Sequence, residues 1–298
     1  MNVTTAIRVL SIVLLLVIVC PIASAHDGFV AVVDVFSPSP GHIINFSTKV
    51  TVPPKPHKQG TVYVWPGVQP AGEHYLPISL GVLQPVLTWG PSCPPGILNS
   101  NTIYNSWHIS GEYVNPTGSV PGHTGCLGGQ VLDVKPGDEL LLTLALHGTT
   151  WVQSINDLTT RQAVSYELDM MGQEQNLGLF AIETYNDGHI DGEVVFRNTL
   201  ITFSEPNADN CSSRYRASNG TLSPPVMSGD GLTCFIEYVT LGGKSSYLSQ
   251  DRTYETQDDK RSPKTRTAMA KAYRTLMATT RALLRDTATM IRGLPTKS

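Results

Sequence analysis

From Thr61 to Phe203 the chain is cut into short runs rich in Val, Ile, Leu, Thr and aromatic residues, separated by Gly, Pro, Asn and Asp, with almost no sustained helical period. Helical bundles and α/β layers need long amphipathic stretches, so such a segment can bury its apolar side chains only as strands packed in layers. The runs are Thr61 to Trp65, Ile78 to Trp89, Ile103 to Val114, Glu139 to Leu146, Thr150 to Asn156, Gln162 to Leu168, Leu179 to Tyr185, Val194 to Arg197 and Leu200 to Phe203. Turn chemistry agrees: in Pro136-Gly137-Asp138 the proline presets φ and the glycine supplies a positive one, and Asn156-Asp157 opens a similar reversal. The expectation is an all-β sandwich of two antiparallel, hairpin-rich sheets.

The N-terminus carries a different signal. Arg8 precedes an apolar run from Val9 to Cys20, closed by Ala23-Ser24-Ala25, the layout of a secretory signal cut after residue 25. The run is short for a membrane span, which takes about 20 apolar residues. Cys93, Cys126, Cys211 and Cys234 remain, an even number suited to an oxidising compartment. Loop closure favours near neighbours, hence Cys93 with Cys126 and Cys211 with Cys234 among three possible connectivities. Asn45, Asn210 and Asn219 head N-x-S/T sequons. The expected location is extracellular or an acidic endomembrane lumen.

Charge divides the rest. Residues 26–259 hold 10 Lys and Arg against 23 Asp and Glu, whereas residues 260–298 hold 10 against the single Asp286. The acidic body argues against nucleic acid as a principal partner. The reading therefore separates a signal (1–25), an N-terminal extension and linker (26–60) containing Pro53-Pro54-Lys55-Pro56, a sandwich (61–206), a disulfide-bonded extension (207–259) and a basic tail (260–298). In the tail, Met269, Tyr273, Leu276, Met277, Leu283, Leu284, Met290 and Ile291 recur at helical spacing among Lys271, Arg274, Arg281, Arg285 and Arg292. That is an amphipathic helix able to lie on an anionic membrane or to dock on the acidic body.

Isolated polar residues inside apolar strands are where chemistry concentrates, because a buried amide or carboxylate needs partners. Gln84 stands in such company between Leu80 and Trp89, and Glu183 between Leu177 and Tyr185. Around them Trp65-Pro-Gly-Val-Gln69, Leu83-Gln84, Tyr104-x-x-Trp107, Pro136-Gly-Asp138, Asn156-Asp-Leu-Thr159 and Ala181-Ile-Glu183 follow in an order that resembles the eqolisin-type glutamic endopeptidases. The resemblance runs from about residue 61 to 206 and implies a concanavalin A-like sandwich (jelly roll). It also implies a catalytic pair, Gln84 and Glu183, a peptide or protein substrate and no cofactor. The chain departs from the family pattern at Gln69 and Ile109, where acids usually stand. A carboxylate such as Glu183 can take a proton from attacking water, and the neutral amide of Gln84 can hydrogen-bond the developing oxyanion without titrating. Trp65, Gln69, Trp89, Tyr104 and Trp107 are the expected substrate-contacting residues. A non-catalytic carbohydrate-binding sandwich is the alternative, and glycosidase chemistry would need a facing pair such as Glu112 with Glu183. Glu174 is a further acid near these segments.

No Gly-x-Ser-x-Gly, phosphate-binding glycine loop or His-Glu-x-x-His motif is present. Cleavage after Ala25 would expose His26, which could hold copper with His108, His123, His147 or His189. These histidines lack ligand spacing, and no metal is expected. Gly125-Cys-Leu-Gly-Gly129 reads as a structural loop beside a disulfide. If the basic tail shields an acidic cleft until carboxylates protonate or Lys260-Arg261 is cut, a chain ending at Asp259 should be the more active near neutral pH. Equal activities and equal pH profiles for the two chains would exclude that role.

Overall fold

The computed structural model describes residues 28–36, 41–57, 60–70, 81–95, 97, 104–115, 120, 122–206 and 215–242. The signal segment, His26, Asn210, Cys211 and the basic tail lie outside them. One sheet runs, in spatial order, β13 (Tyr215–Ser218), β1 (Gly28–Phe36), β11 (Leu177–Tyr185), β3 (Thr61–Gln69), β4 (Val82–Trp89), β5 (Trp107–Asn115) and β6 (Gly125–Gly128), with β7 (Leu132–Val134) also on β5. The other runs β10 (Ala163–Asp169), β9 (Thr150–Asp157), β8 (Glu139–His147), β2 (Ile43–Thr51), β12 (Glu193–Phe203), β16 (Thr233–Gly242) and β14 (Gly220–Leu222), with β15 (Val226–Met227) also on β16. Every pairing is antiparallel. The protein is an all-β sandwich, and among the described residues there is no α-helix.

The strand set is wider than residues 61–206. The stretch read as an N-terminal extension supplies β1, beside β11, and β2, between β8 and β12. The stretch after 206 supplies β13 to β16. Both β1 (GFVAVVDVF) and β2 (IINFSTKVT) carry the β-branched residues that suit a pleated surface. The proline run that suggested a linker begins only after β2 has ended. Val194 to Arg197 and Leu200 to Phe203 are one strand, β12, interrupted where Asn198 takes a left-handed φ of 54° and the register with β2 shifts. Gly125 to Gly128 is not a loop but the strand β6, paired with Glu112 to Asn115.

Successive side chains on a strand point to opposite faces, so each strand of the first sheet has an inward set and an outward set. The inward set meets the second sheet in the main core: Val62 and Val64 of β3, Leu83 and Leu87 of β4, Phe180 and Ile182 of β11, against Phe46, Leu142, Leu144, Ile155, Phe196 and Ile201. Phe180 stands between Phe46 and Phe196, with ring centroids 5.4 and 5.1 Å away. The outward set forms a second, smaller apolar cluster of Trp65, Val82, Val86, Leu177, Leu179 and Ala181, with Tyr63 against it.

Two ties hold the β5 side. Gln153 of β9 reaches across the sandwich: its Nε2 donates to the Glu112 carbonyl at 2.8 Å, and its Oε1 accepts the Glu112 N–H at 3.3 Å. Cys93 and Cys126 form the expected disulfide. Cys234 is also disulfide-bonded. Of the sequon asparagines, Asn45 lies within the central strand β2, and Asn219 already gives its Nδ2 to the Val30 carbonyl at 3.0 Å. Because the Phe180 ring bridges the two sheets, Phe180→Ala should cost about 3–5 kcal/mol. Urea unfolding monitored by circular dichroism is the measurement, and a loss below about 1 kcal/mol would contradict this packing.

Candidate active site

On its outward face the first sheet holds an open pocket of about 440 Å³. Tyr63, Trp65, Gln84 and Val86 form its floor. Glu183, Tyr185, Asn186 and Thr61 stand on one side, and Ser92, Cys93, Glu112, Val114 and Cys126 on the other, with Pro91 completing the lining. Two residues named from sequence as a catalytic pair, Gln84 and Glu183, thus border the same space, although β3 runs between their strands.

The register fixes their relation. Glu183 is level with Tyr63, Thr88 and His108 across the sheet. Gln84 pairs with Glu112 and lies beside Gly67, whose partner on β11 is Leu179. Along the strand Glu183 is therefore offset from the Gln84 row by four residues, about 13 Å at the backbone. Its side chain leans back across that gap, because Trp65 Nε1 donates to Glu183 Oε1 at 3.0 Å while Tyr185 OH donates to Oε2 at 2.7 Å. The six-membered ring of Trp65 lies over Gly67, where a Cβ would meet the Leu83 carbonyl at 2.8 Å and both Trp65 Cζ3 and Gln84 Cβ at 3.2 Å. Glycine at 67 thus makes room for the indole to run from Glu183 toward Gln84. The Gln84 side chain is 6% exposed, and its Oε1 has no hydrogen-bond partner. Rotation of that amide would present the NH2 group at the same place.

Glu112, named from sequence as an acid that could face Glu183, also lines the pocket. It is 3% exposed, and its Oε1 accepts from Ser92 Oγ and, at 2.8 Å, from Ser110 Oγ. Burial pushes its carboxyl up from 4.5 to about 7, while the Ser92 and Ser110 hydroxyls and the Cys93 N–H hold it from rising further. Burial likewise raises the Glu183 carboxyl, against the opposing hydrogen bonds from Tyr185 and Trp65. Tyr63, whose OH donates to the Pro91 carbonyl at 2.8 Å, is held well above its ordinary value by burial and then by the charges of Glu112 and Glu183. Tyr63 stands on β3, between the strands of Glu183 and Gln84, in the floor that separates the two acids. Glu112 and the sulfurs of Cys93 and Cys126 lie within 4.8 Å of one another, a spacing that could hold a metal, but the joined sulfurs offer no thiolate.

The remaining residues expected at the site are elsewhere. Trp89 and Trp107 face the sandwich interior and meet edge to face at 5.6 Å. Each stands five residues from a pocket residue of its own strand, Gln84 and Glu112, and an odd separation reverses the face. Gln69 is buried and its Oε1 lacks a partner, yet it is not among the lining residues. Tyr104 lies off the pocket and shares a 3.2 Å hydrogen bond with Thr61 Oγ1. Glu174 faces His42 at 3.5 Å, outside the pocket lining. Sequence reasoning passed over Tyr63 and Ser92, whose roles come only from cross-strand register and the fold of the 91–95 segment.

No protein-family model matches the chain, and no curated protein matches it. Among solved structures, it is similar to scytalido-glutamic peptidase with a peptide-based transition-state analogue, at 14% identity and a TM-score of 0.45, covering 72% of this chain and 100% of that one. It is also similar to SCP-B, a member of the Eqolisin family in complex with the tripeptide Ala-Ile-His, at 13% identity and 0.41, with the same coverage. LamAcat from Zobellia galactanivorans matches at 11% identity and 0.31, covering 67% of this chain and 63% of that one. These are likenesses of overall fold.

Glu112 has a consequence for stability. Between pH 4.5 and about 7 the folded chain holds a proton on Glu112 that the unfolded chain has released, so stability falls as pH rises through that window. The loss is on the order of 3 kcal/mol. Glu112→Gln mimics the protonated carboxyl and should remove this part of the decline. Unfolding at pH 4 should then be nearly equal in the two proteins, with the variant more stable at pH 8; an equal decline in both would show that Glu112 is not the titrating group.

Proposed function

We propose that the pocket hydrolyses peptide bonds at acidic pH, with Glu183 as general base and Gln84 as the neutral hydrogen-bond donor to the oxyanion. The observation that carries the reading is a single open pocket bordered by a carboxyl raised by burial and by a buried carboxamide with an unpartnered end. The offset between the two groups is compatible with this chemistry. A base, its attacking water, the reacting carbon and the oxyanion donor form a chain rather than a shared contact. Two hydrogen bonds of about 2.8 Å plus the O–C–O span reach roughly 8 Å, a distance the Trp65 indole can bridge. The indole N–H and Tyr185 OH hold the two Glu183 oxygens in place, which limits reorganisation as the proton is taken.

An amide substrate suits the lining. Tyr63, Trp65, Val86 and Val114 offer apolar walls, and among the described residues no lysine or arginine borders the pocket to select an anionic group. A carbohydrate-binding site of the stacking kind needs an open aromatic face, whereas Trp65 is 1% exposed and its indole N–H is occupied by Glu183. The Cys93–Cys126 disulfide suits an oxidising compartment, and we place the activity outside the cell or in an acidic lumen.

Casein cleavage by the purified chain at acidic pH, insensitive to pepstatin, is the test. Glu183→Gln should lower turnover about 10²–10⁴-fold. Gln84→Ala should lower it about 10²–10³-fold while leaving the unfolding midpoint nearly unchanged. Since the base must be ionised, activity should fall as pH drops through the raised Glu183 value. Full activity in either variant would end the assignment.

A further inference from the structure

We propose that Glu112 is a second catalytic carboxyl of this pocket, donating its proton to the departing amine from the side opposite Glu183. The inference rests on the hydrolase reading above and adds to it a residue that the Gln84 and Glu183 pair does not include. Its basis is placement. Glu112 on β5 and Glu183 on β11 stand on opposite sides of the pocket, and the floor between them is made by β3 and β4. Gln84 is the direct cross-strand partner of Glu112, so the carboxamide whose Oε1 lacks a partner is on the strand beside this acid. A carbonyl bound over Gln84 therefore has a carboxyl on each side, one placed toward the attacking water and one toward the nitrogen.

The surroundings of Glu112 suit an acid rather than an ion-paired anchor. No cation among the described residues forms a salt bridge with it. Its partners are two hydroxyls and a backbone N–H, and the Gln153 carboxamide clamps its main chain from the other sheet. The titratable groups around it are Tyr63 of β3, Tyr166 of β10 and, across the pocket, Glu183. Both tyrosines are raised and therefore neutral in the working range. His108, on the same strand, is lowered by burial and adds no fixed positive charge near neutral pH. Gln84 and Gln153 do not titrate, and neither do the disulfide sulfurs. With its carboxyl raised to about 7 by burial, Glu112 keeps its proton through the acid range, whereas Glu183, also raised by burial, has an indole N–H and a phenol that favour its charged form.

The steps balance. Water loses a proton to ionised Glu183 as its oxygen bonds to the carbonyl carbon, and the oxyanion is held at Gln84. The C–N bond then breaks with transfer of the Glu112 proton to nitrogen. The products are a carboxylic acid and an amine, and the two carboxyls return to their starting states by proton exchange with solvent. No other reactant is required.

General-acid assistance matters most when the leaving group is poor, so the test compares the same chains on a peptide and on a p-nitrophenyl ester, whose phenolate leaves without a proton. Glu112→Gln should reduce peptide hydrolysis about 10²-fold or more. On the ester the loss should be at least about tenfold smaller. In the wild type, peptide hydrolysis should fall as pH rises through about 7. Ser92→Ala removes a donor that favours the charged carboxyl, and should move that fall to higher pH while retaining the acid itself. Equal losses of Glu112→Gln on both substrates, or a Ser92→Ala profile identical to wild type, would overturn the role of Glu112 while leaving the hydrolase reading intact. A wild-type chain that cleaves neither substrate would overturn both.

Discussion

Packing of the Phe180 ring between Phe46 and Phe196 presses the two sheets together, and the rest of the structure follows from that contact. Once Phe180 and Ile182 are committed to the interior, the alternation of the strand sends Leu179, Ala181 and Glu183 to the other face. The same parity on β3 and β4 commits Val62, Val64, Leu83 and Leu87 inward and leaves Tyr63, Trp65, Gln84 and Val86 outward. The pocket is thus the reverse side of the core. A one-residue slip of β11 would bury the Glu183 carboxylate among phenyl rings and expose Phe180, so the apolar contact that stabilises the sandwich also fixes which polar groups meet outside it.

That outer face is partly apolar, which accounts for its electrostatics. Trp65, Val82, Val86, Leu177, Leu179 and Ala181 exclude water from the floor, so each carboxyl at its edge is desolvated and favours its neutral form. The two acids are compensated unequally. Glu183 has an indole N–H and a phenol on separate oxygens, whereas Glu112 is more deeply buried and relies on hydroxyls and one main-chain N–H. The same functional group thus meets two different shells in one pocket, although burial raises both carboxyls.

The sandwich was legible because its strands alternate and its turns carry Gly, Pro, Asn and Asp; the runs between Thr61 and Phe203 reappear as β3 to β5 and β8 to β12. Gln84 and Glu183 were conspicuous as lone polar residues in apolar strands, and both border the pocket. Trp89 and Trp107 were misassigned to it although parity within their own strands already opposed this, since each lies an odd number of residues from Gln84 or Glu112. Aromatic character suggested contact surface, but alternation decides the face. Glu112 stands out in sequence only as a possible facing partner of Glu183, and its place beside Gln84 is not legible there. Its nearness to Gln84 depends on the β4–β5 register, and its donors depend on the 91–95 segment; neither is written in local sequence. The strands β1 and β2 are masked in sequence by the proline run that follows them, which by itself suggests an extended linker.

The 91–95 segment joins these observations. Ser92 reaches the carboxyl of Glu112, the Cys93 N–H supports it, and the Pro91 carbonyl accepts the Tyr63 phenol. Its covalent attachment through Cys93 to Cys126 on β6 holds all three contacts against the sheet. Without that tether the segment would have to be ordered by a few hydrogen bonds alone, each worth about 1 kcal/mol net. The disulfide therefore does more than restrict the unfolded chain. It keeps one side of the pocket, and the donors that set the acidity of its buried carboxyl, at a fixed distance from Gln84 and the groups opposite.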